Sequence, residues 1–355
     1  MAKTGMLESI SAALQRTWWV PRQTRLARLW WLLWPLSWCY RGLFALKAQA
    51  TATQRLPVPV VVVGNLIVGG AGKTPTVIAL VHALAAAGWR PGVISRGYGS
   101  AGDAARPVTI ASVAEDVGDE PALIARVTGV PVWVGARRVD VARRLCAAHM
   151  NVDVLISDDG LQHRALPRQL EVLVFDERGI GNGHLLPAGP LREPMWTTLT
   201  PRTKVLYNAA KPTTVLPGFV IERRLRDAVP LAAWARGERV GALPLAQLAT
   251  RACWAAAGIA TPERFFTMLD TAGLNLTRLP LPDHHVYTQL PWPADASDVL
   301  VTEKDAVKLQ HLDLADSTTR IWVVGLDFVL PQDFLRWVQQ GLAPTDHHDA
   351  RPPPA

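Results

Sequence analysis

The 355-residue chain has only three cysteines, Cys39, Cys146 and Cys253, set far apart. Their spacing forms neither a metal-ligand pattern nor a disulfide framework, which fits a reducing compartment and argues against a thiolate-held metal. There are no internal repeats. No short polar start with a small-residue cleavage site marks a signal peptide. The apolar run from Leu29 to Leu46 falls short of the roughly 20 residues of a spanning helix, and Pro35 and Arg41 interrupt it. Acids are almost missing from the first fifty positions, where seven Lys/Arg meet only Glu8. The other 305 residues carry 30 basic and 29 acidic side chains. A body so nearly neutral lacks the basic groove of a nucleic-acid enzyme, and no nucleic-acid partner is expected.

What is present is apolar. Hydrophobic residues make up 49% of the chain, ample for a sizeable core, and the length suggests two domains. Six of the fourteen tryptophans (Trp18, Trp19, Trp30, Trp31, Trp34 and Trp38) crowd the basic N-terminus. Trp30, Trp34 and Trp38 recur every four residues and share a helical face; Pro35 should kink or end a helix there. Tryptophan favours the headgroup level of a bilayer, and clustered Lys/Arg favours anionic lipid. Residues 1–50 therefore read as interfacial helices lying on a membrane. A helix pair packed on a soluble core and a full span are the alternatives.

Further on, apolar strands alternate with helix-like segments: Val58–Val63, Gly92–Ser95, Val130–Val134, Val152–Ile156, Leu170–Phe175 and Lys204–Tyr207. That alternation predicts an α/β fold with a parallel sheet flanked by helices, ligands gathering at the carboxyl ends of its strands. After Gly218 a strand over Phe219–Leu225 leads out. A smaller α/β domain is expected from strands near Ala255–Ala260, Asp298–Thr302 and Ile321–Gly325, with a helix over Pro262–Leu269. The expected organisation is thus 1–50 membrane-interfacial, 51–218 nucleotide-binding core, 219–342 linker strands and smaller domain, and 343–355 a disordered, Pro-containing tail.

The most informative stretch runs from Val61 to Thr74. A buried strand leads into Gly69-Gly70-Ala71-Gly72-Lys73-Thr74, and a helix follows. Such a P-loop turns backbone N–H groups toward a phosphate chain at a helix N-terminus. Lys73 can reach the β/γ-phosphates, and the Thr74 hydroxyl can ligate Mg²⁺. The loop departs from G-x-x-x-x-G-K-[ST], which wants glycine where Ile67 stands. The strand–loop–helix context compensates, and a nucleoside triphosphate is the expected ligand.

A P-loop enzyme needs a carboxylate at a nearby strand end for its metal. Asp158-Asp159-Gly160 ends one strand and is favoured over Asp176-Glu177 and over Glu303-Lys304-Asp305. Arg96 in Ser95-Arg96-Gly97-Tyr98-Gly99 would suit a phosphate-bearing acceptor, with Tyr98 against a sugar ring. Asp119 in Gly-Asp-Glu-Pro is either a helix cap or a base for an acceptor hydroxyl. The Pro/Gly-rigid loop from Leu185 to Pro194 carries Arg192, placed to meet a transferring phosphoryl group, and Glu193. Pro282-Asp283-His284-His285 is either ordinary loop surface or a tuned proton acceptor.

Together, Gly-Asn-Leu-Ile-Val-Gly-Gly-Ala-Gly-Lys-Thr-Pro, Ser-Arg-Gly-Tyr-Gly, Gly-Asp-Glu-Pro, Ser-Asp-Asp-Gly-Leu-Gln-His, Leu-Leu-Pro-Ala-Gly-Pro-Leu-Arg-Glu-Pro, Pro-Asp-His-His and Val-Thr-Glu-Lys-Asp-Ala-Val-Lys-Leu resemble, in order, the tetraacyldisaccharide 4′-kinase family of Gram-negative bacteria. The likeness covers roughly residues 10–340 and shares the irregular first glycine. It implies ATP-dependent phosphorylation of the 4′-hydroxyl of an acylated glucosamine disaccharide 1-phosphate, giving lipid IV-A, at the cytoplasmic face of the inner membrane. Carried over by motif, Gly69, Gly70, Ala71, Gly72, Lys73, Thr74 and Arg192 hold ATP. Thr74, Asp158, Asp159 and Glu193 form the Mg²⁺ and nucleotide shell. Asp119 and His284 are the catalytic pair beside Lys73, and Arg96, Gly97 and Tyr98 contact the acceptor. His285 beside His284 departs from the family's pattern and leaves open which imidazole acts. No obligate protein partner is implied. Rival readings are a membrane-associated P-loop ATPase acting as a nucleotide switch, whose loop would begin with lysine where Val68 stands, and a soluble small-molecule P-loop kinase.

Overall fold

Runs of β-branched residues form the centre of the molecule. Strand β1 (Val60–Gly64) is buried along its whole length, and each valine so removed from water contributes about 1.5–3 kcal/mol. The computed structural model describes residues 17–19, 31–49, 53–97, 102–314 and 317–343. β1 sits inside an eight-stranded sheet with β2 (Pro91–Ser95), β3 (Arg106–Val108), β4 (Val132–Val134), β5 (Val154–Asp158), β6 (Leu170–Asp176), β7 (Thr203–Asn208) and β8 (Phe219–Val220). The order is β3-β4-β2-β5-β1-β6-β7-β8. Only β3 runs antiparallel to its neighbour; the other pairings are parallel. The loops leaving β1, β2, β5 and β6 therefore emerge at one edge.

Helix α1 (Trp34–Gln49) precedes this sheet, and α2 (Lys73–Ala86), α3 (Ala114–Val117), α4 (Asp119–Thr128) and α5 (Arg138–Ala148) connect its first strands. The strand expected over Phe219–Leu225 is divided between two sheets. Phe219 and Val220 pair with β7, whereas β9 (Glu222–Pro230) pairs antiparallel with β13 (Arg320–Val329). The chain crosses between the sheets at buried Ile221. The second, five-stranded sheet has the order β11-β10-β12-β13-β9, with β10 (Ala252–Ala257), β11 (Asn275–Pro280) and β12 (Asp298–Thr302). Helices α6 (Leu231–Ala235), α7 (Pro262–Thr271), α8 (Glu303–Leu309) and α9 (Gln332–Leu342) complete it. One apolar core joins Val77 and Leu80 of α2 and Ile124 of α4 to Val301 and Val323 of the second sheet and Ala306 of α8.

α1 has 16 residues, and among the described residues no helix is long and apolar enough to cross a membrane. Pro35 does not break it. It stands in the first turn, where the missing N–H costs no hydrogen bond and the ring is tolerated. Trp34, Leu36, Trp38, Leu43 and Leu46 are exposed. Yet α1 is tied down elsewhere. Ser37 Oγ donates to Leu185 O at 2.9 Å and accepts from Ala188 N at 3.1 Å. Tyr40 OH donates to Arg192 O at 2.8 Å. Most of the expected interfacial segment before Trp31, and the tail beyond Ala343, lie outside the described residues.

Candidate active site

β1 delivers the Gly-rich loop to the carboxyl edge of the larger sheet. Gly72 caps α2 with φ of 93°, and a Cβ there would stand 2.5 Å from Asn208 Nδ2. Glycine is thus required for both backbone shape and space. Lys73 and Thr74 open the helix and are buried. The first turn of α2 holds no acid, which leaves its positive dipole end for an anion. Lys73 Nζ curls back to Asn65 Oδ1 at 3.3 Å, Gly69 O at 3.5 Å and Asp159 Oδ1 at 3.7 Å. These are long contacts, which phosphate oxygens can replace. Arg178, paired with buried Asp176, donates to Gly70 O at 2.8 Å and braces the loop from β6.

The parallel register sets Val63 beside Asp158, so β5 brings its terminal carboxylate next to the loop. Asp158 is 1% exposed. Its Oδ2 accepts from Ser95 Oγ at 3.4 Å, and its Oδ1 has no hydrogen-bond partner among the described residues. Burial, with the nearby charges of Glu120 and Asp159, pushes this carboxyl up to about 7, while Lys73 and Arg138 oppose the rise. A cation is what such an oxygen lacks. The Thr74 hydroxyl and Asp158 fit Mg²⁺, which takes one or two protein oxygens and fills its octahedron with water and phosphate. Among the described residues no group of three or more His, Cys, Asp or Glu could hold a metal, so an ion here would depend on the nucleotide's oxygens.

Asp159 is one of two described non-glycine residues at positive φ, 49°. That turn aims it at Arg192, whose Nη1 and Nη2 donate to its two oxygens, each at 2.8 Å. Arg192 also donates to Gln162 Oε1 at 2.8 Å, and Gln162 Nε2 donates to Glu193 Oε1 at 3.0 Å. Glu193 is thus linked to Asp159 through Gln162 and Arg192 in turn, with Arg164 at 3.7 Å from its other oxygen. Burial raises the Glu193 carboxyl, and Gln162 and Arg164 pull it back. The loop bearing Arg192 is fastened to the Gly-rich loop by Arg192 N→Leu66 O at 2.7 Å and Val68 N→Pro190 O at 2.9 Å. Beside it a cavity of about 590 Å³ is lined by Arg41 and Phe44 of α1 and by Arg164, Glu193, Met195 and Trp196.

Arg96 is exposed at the end of β2, and Gly97 beside it is buried. Tyr98 lies outside the described residues. Arg96 is near enough to Arg138 to help lower that group's pKa.

The second sheet supplies the remaining piece. His284, in the loop after β11, is the other positive-φ residue, at 58°. Its backbone N–H donates to Asp283 Oδ1 at 3.0 Å. A left-handed non-glycine costs about 1–2 kcal/mol and persists where the surroundings fix it. Its Nδ1 lies 2.9 Å from Asp119 Oδ2, a contact across 165 residues. Asp119 opens α4 and is 7% exposed; its Oδ1 accepts from Glu120 N at 2.9 Å. Burial works against its charge, but the His284 hydrogen bond with Lys304 and Lys308 holds its pKa below the usual carboxylate range. The same hydrogen bond raises His284. His285 packs edge-on against Tyr287 at 4.7 Å, so His284 is the imidazole that meets Asp119.

Three participants were not singled out by their own sequence signal. Gln162 links Arg192 to Glu193. Lys304 reaches the His284–Asp119 pair. Both stand inside motifs noted above for other residues. Arg138 on α5 is 2% exposed, with its Nε and Nη2 unpartnered among the described residues and burial lowering its pKa to about 10. Its segment, Gly135-Ala136-Arg137-Arg138, carries no sequence mark that separates it from a surface arginine pair.

A model of the tetraacyldisaccharide-1-P 4′-kinase family matches residues 29–343. The tetraacyldisaccharide 4′-kinase of Leptothrix cholodnii is 49% identical over 339 residues, covering 94% of this chain and 96% of that protein. That of Methylibium petroleiphilum is 47% identical over 339 residues, covering 91% and 95%. Among solved structures, LpxK from Aquifex aeolicus in complex with ATP aligns with a TM-score of 0.71 at 26% identity, covering 88% of this chain and 99% of that one. A Gly-rich loop at a helix start, a carboxylate set beside it and an Asp–His pair that joins the first sheet's α4 to a loop of the second sheet are therefore found in a chain that belongs to the tetraacyldisaccharide 4′-kinase family.

Proposed function

We propose that these residues carry an ATP-dependent transfer of phosphate to the 4′-hydroxyl of a tetraacyldisaccharide 1-phosphate, in lipid A biosynthesis. The loop amides from Gly69 to Gly72, the start of α2 and Lys73 take the triphosphate, with Arg192 against the group being transferred. Asp159 and Glu193 hold Arg192 and its partners in place. Thr74 and Asp158 would hold Mg²⁺, whose charge would help neutralise the negative charge that develops during the transfer. Little covalent work falls to the protein in such a transfer; it must position and neutralise. The remaining demand is a proton acceptor. With Nδ1–H donated to Asp119, His284 presents Nε2 as its basic nitrogen. The acceptor oxygen forms its bond to the γ-phosphorus as the bond to the bridging oxygen breaks, and the hydroxyl proton passes to Nε2.

The acceptor is a lipid, and the amphiphilic cavity between α1 and Met195–Trp196 suits an anionic sugar arriving from a membrane surface. The exposed Trp and Leu side chains of α1 support docking on that surface. The cytoplasmic face is the side that supplies ATP. The observation that carries the reading is the 2.9 Å His284–Asp119 contact in a chain whose Gly-rich loop ends at Lys73. Purified protein incubated with γ-labelled ATP, Mg²⁺ and the disaccharide lipid should place label on the 4′-position. Label released only as free phosphate defeats the reading.

A further inference from the structure

One cation gathers the acids around His284. Lys304 is the second residue of α8, a helix whose start is fixed: the Thr302 hydroxyl accepts from Asp305 N at 3.2 Å and donates to Asp305 Oδ2 at 2.6 Å. Asp305 is fully buried. It also accepts from Gly258 N at 3.1 Å and Tyr287 OH at 2.9 Å. α8 and the segment following His284 are thus anchored on the same carboxylate. From that base Lys304 Nζ reaches Asp283 Oδ1 at 3.2 Å, His284 Nε2 at 3.4 Å, and Asp119 Oδ2 and Glu120 Oε1 each at 3.7 Å.

The charges facing the imidazole are unbalanced. Asp119 of α4 and Asp283 of its own loop meet the ring, with Lys304 as the one ammonium in contact with it among the described residues; Glu120 faces Lys304, while Lys308 stands between Asp119 and Asp305. Tyr287, over which Lys308 lies, is held protonated by burial and Asp305. An imidazole facing a surplus of carboxylates binds a proton tightly, and a protonated ring cannot accept another from a hydroxyl. We infer that Lys304 is a positioning residue for proton transfer: its ammonium, set against Nε2, keeps the His284 ring neutral and keeps its Nδ1–H on Asp119. The inference rests on the Asp119–His284 pair being the proton acceptor. The contact is chemically selective, because an ammonium can donate to a bare Nε2 and is repelled by a protonated one. Asp119, Glu120 and Asp283 hold Lys304 itself charged against the effect of burial, and Lys304 opposes the rise that Asp119 imposes on His284. When a hydroxyl takes its place at Nε2, Lys304 retains Asp283 and Glu120 as partners.

The test is kcat/KM for the disaccharide lipid against pH, at saturating ATP·Mg²⁺, for the full-length wild type, Lys304→Gln, Asp283→Asn and His284→Ala. Wild-type activity falls on the acid side as His284 takes up a proton. Lys304→Gln moves this limb up by about one pH unit, so that its loss of activity is greatest below neutrality and shrinks above it. Asp283→Asn removes a carboxylate and moves the limb down. A limb unmoved in both, with rates lowered equally at every pH, reduces Lys304 to a structural residue and overturns the inference. Should Lys304→Gln fail to fold, an unmoved limb in Asp283→Asn, whose side chain is one-third exposed, is the same refutation. His284→Ala separates the two levels. An acid limb surviving there removes the Asp–His pair itself, whereas a limb abolished there and unmoved in the other two removes only the role of Lys304.

Discussion

Replacing Asp119 by asparagine keeps the shape of the side chain and removes its charge. Three consequences can be read from the site. The His284 Nδ1 contact at 2.9 Å loses its ionic acceptor, and an amide N–H turned toward Nδ1 would force the ring proton onto Nε2, the nitrogen needed for the acceptor. Lys304 and Lys308, at 3.7 and 3.9 Å from the lost oxygen, then repel any imidazolium that forms. The chief cause of His284's raised pKa also disappears. Loss of a positioned general base costs about 10²- to 10⁴-fold in rate, or roughly 3–5 kcal/mol in barrier. The sign of the pH effect follows. In the proposed transfer His284 acts when neutral, so wild-type activity should be lost as pH falls through a pKa lying above the ordinary 6.5. In Asp119→Asn the residual activity loses its acid limb at lower pH. The assay is transfer of γ-labelled phosphate to the disaccharide lipid across pH, with ATP affinity measured separately. Among the described residues the side-chain partners of Asp119 are His284, Lys304 and Lys308, not the loop proposed to take ATP, so that affinity should stay near wild type. If ATP binding collapses while turnover of the saturated enzyme stays within tenfold of wild type, the reasoning is refuted.

Gly72→Ala places a Cβ at φ of 93° and 2.5 Å from Asn208 Nδ2; it should cost about 2–3 kcal/mol and weaken ATP binding, and an unchanged melting temperature with wild-type ATP affinity would contradict this. Arg192→Lys exchanges a two-pronged grip on Asp159 for a single contact. Its kcat/KM for ATP should drop about tenfold, or roughly 1.4 kcal/mol; retention of full activity would show that the fork geometry is irrelevant.

The strands that build the site were legible because they are buried on both faces and so read as apolar runs. β12 spans Asp298–Thr302 as expected, and β1, β2, β5, β6 and β7 lie within two residues of their expected bounds. Two edge strands were not legible. β3, Arg-Pro-Val, and β11, with Asn275, Thr277, Arg278 and Pro280 exposed, lack such runs because one side of each meets solvent. The boundary at Ile221 was hidden for another reason: the chain changes sheets without a turn residue to mark it. In the site, the Gly-rich loop was evident from residue spacing. The pairing of Asp159 with Arg192 was not, since it depends on one left-handed backbone residue and a loop more than thirty positions away. Arg138 and Lys304 gain their surroundings only when separate helices are packed together.

Three hydrogen bonds join Ser37 and Tyr40 to the segment from Leu185 to Arg192, and two more join that segment to the stretch between β1 and the Gly-rich loop. The linkage is short, with two side chains at the helix end and backbone alone at the other. A helix resting in a lipid headgroup layer would then act as a depth gauge, transmitting its height and tilt to the nucleotide with little slack. Reach from bilayer to γ-phosphate would be a fixed dimension of the molecule, to be matched by the height at which a glycolipid carries its sugar.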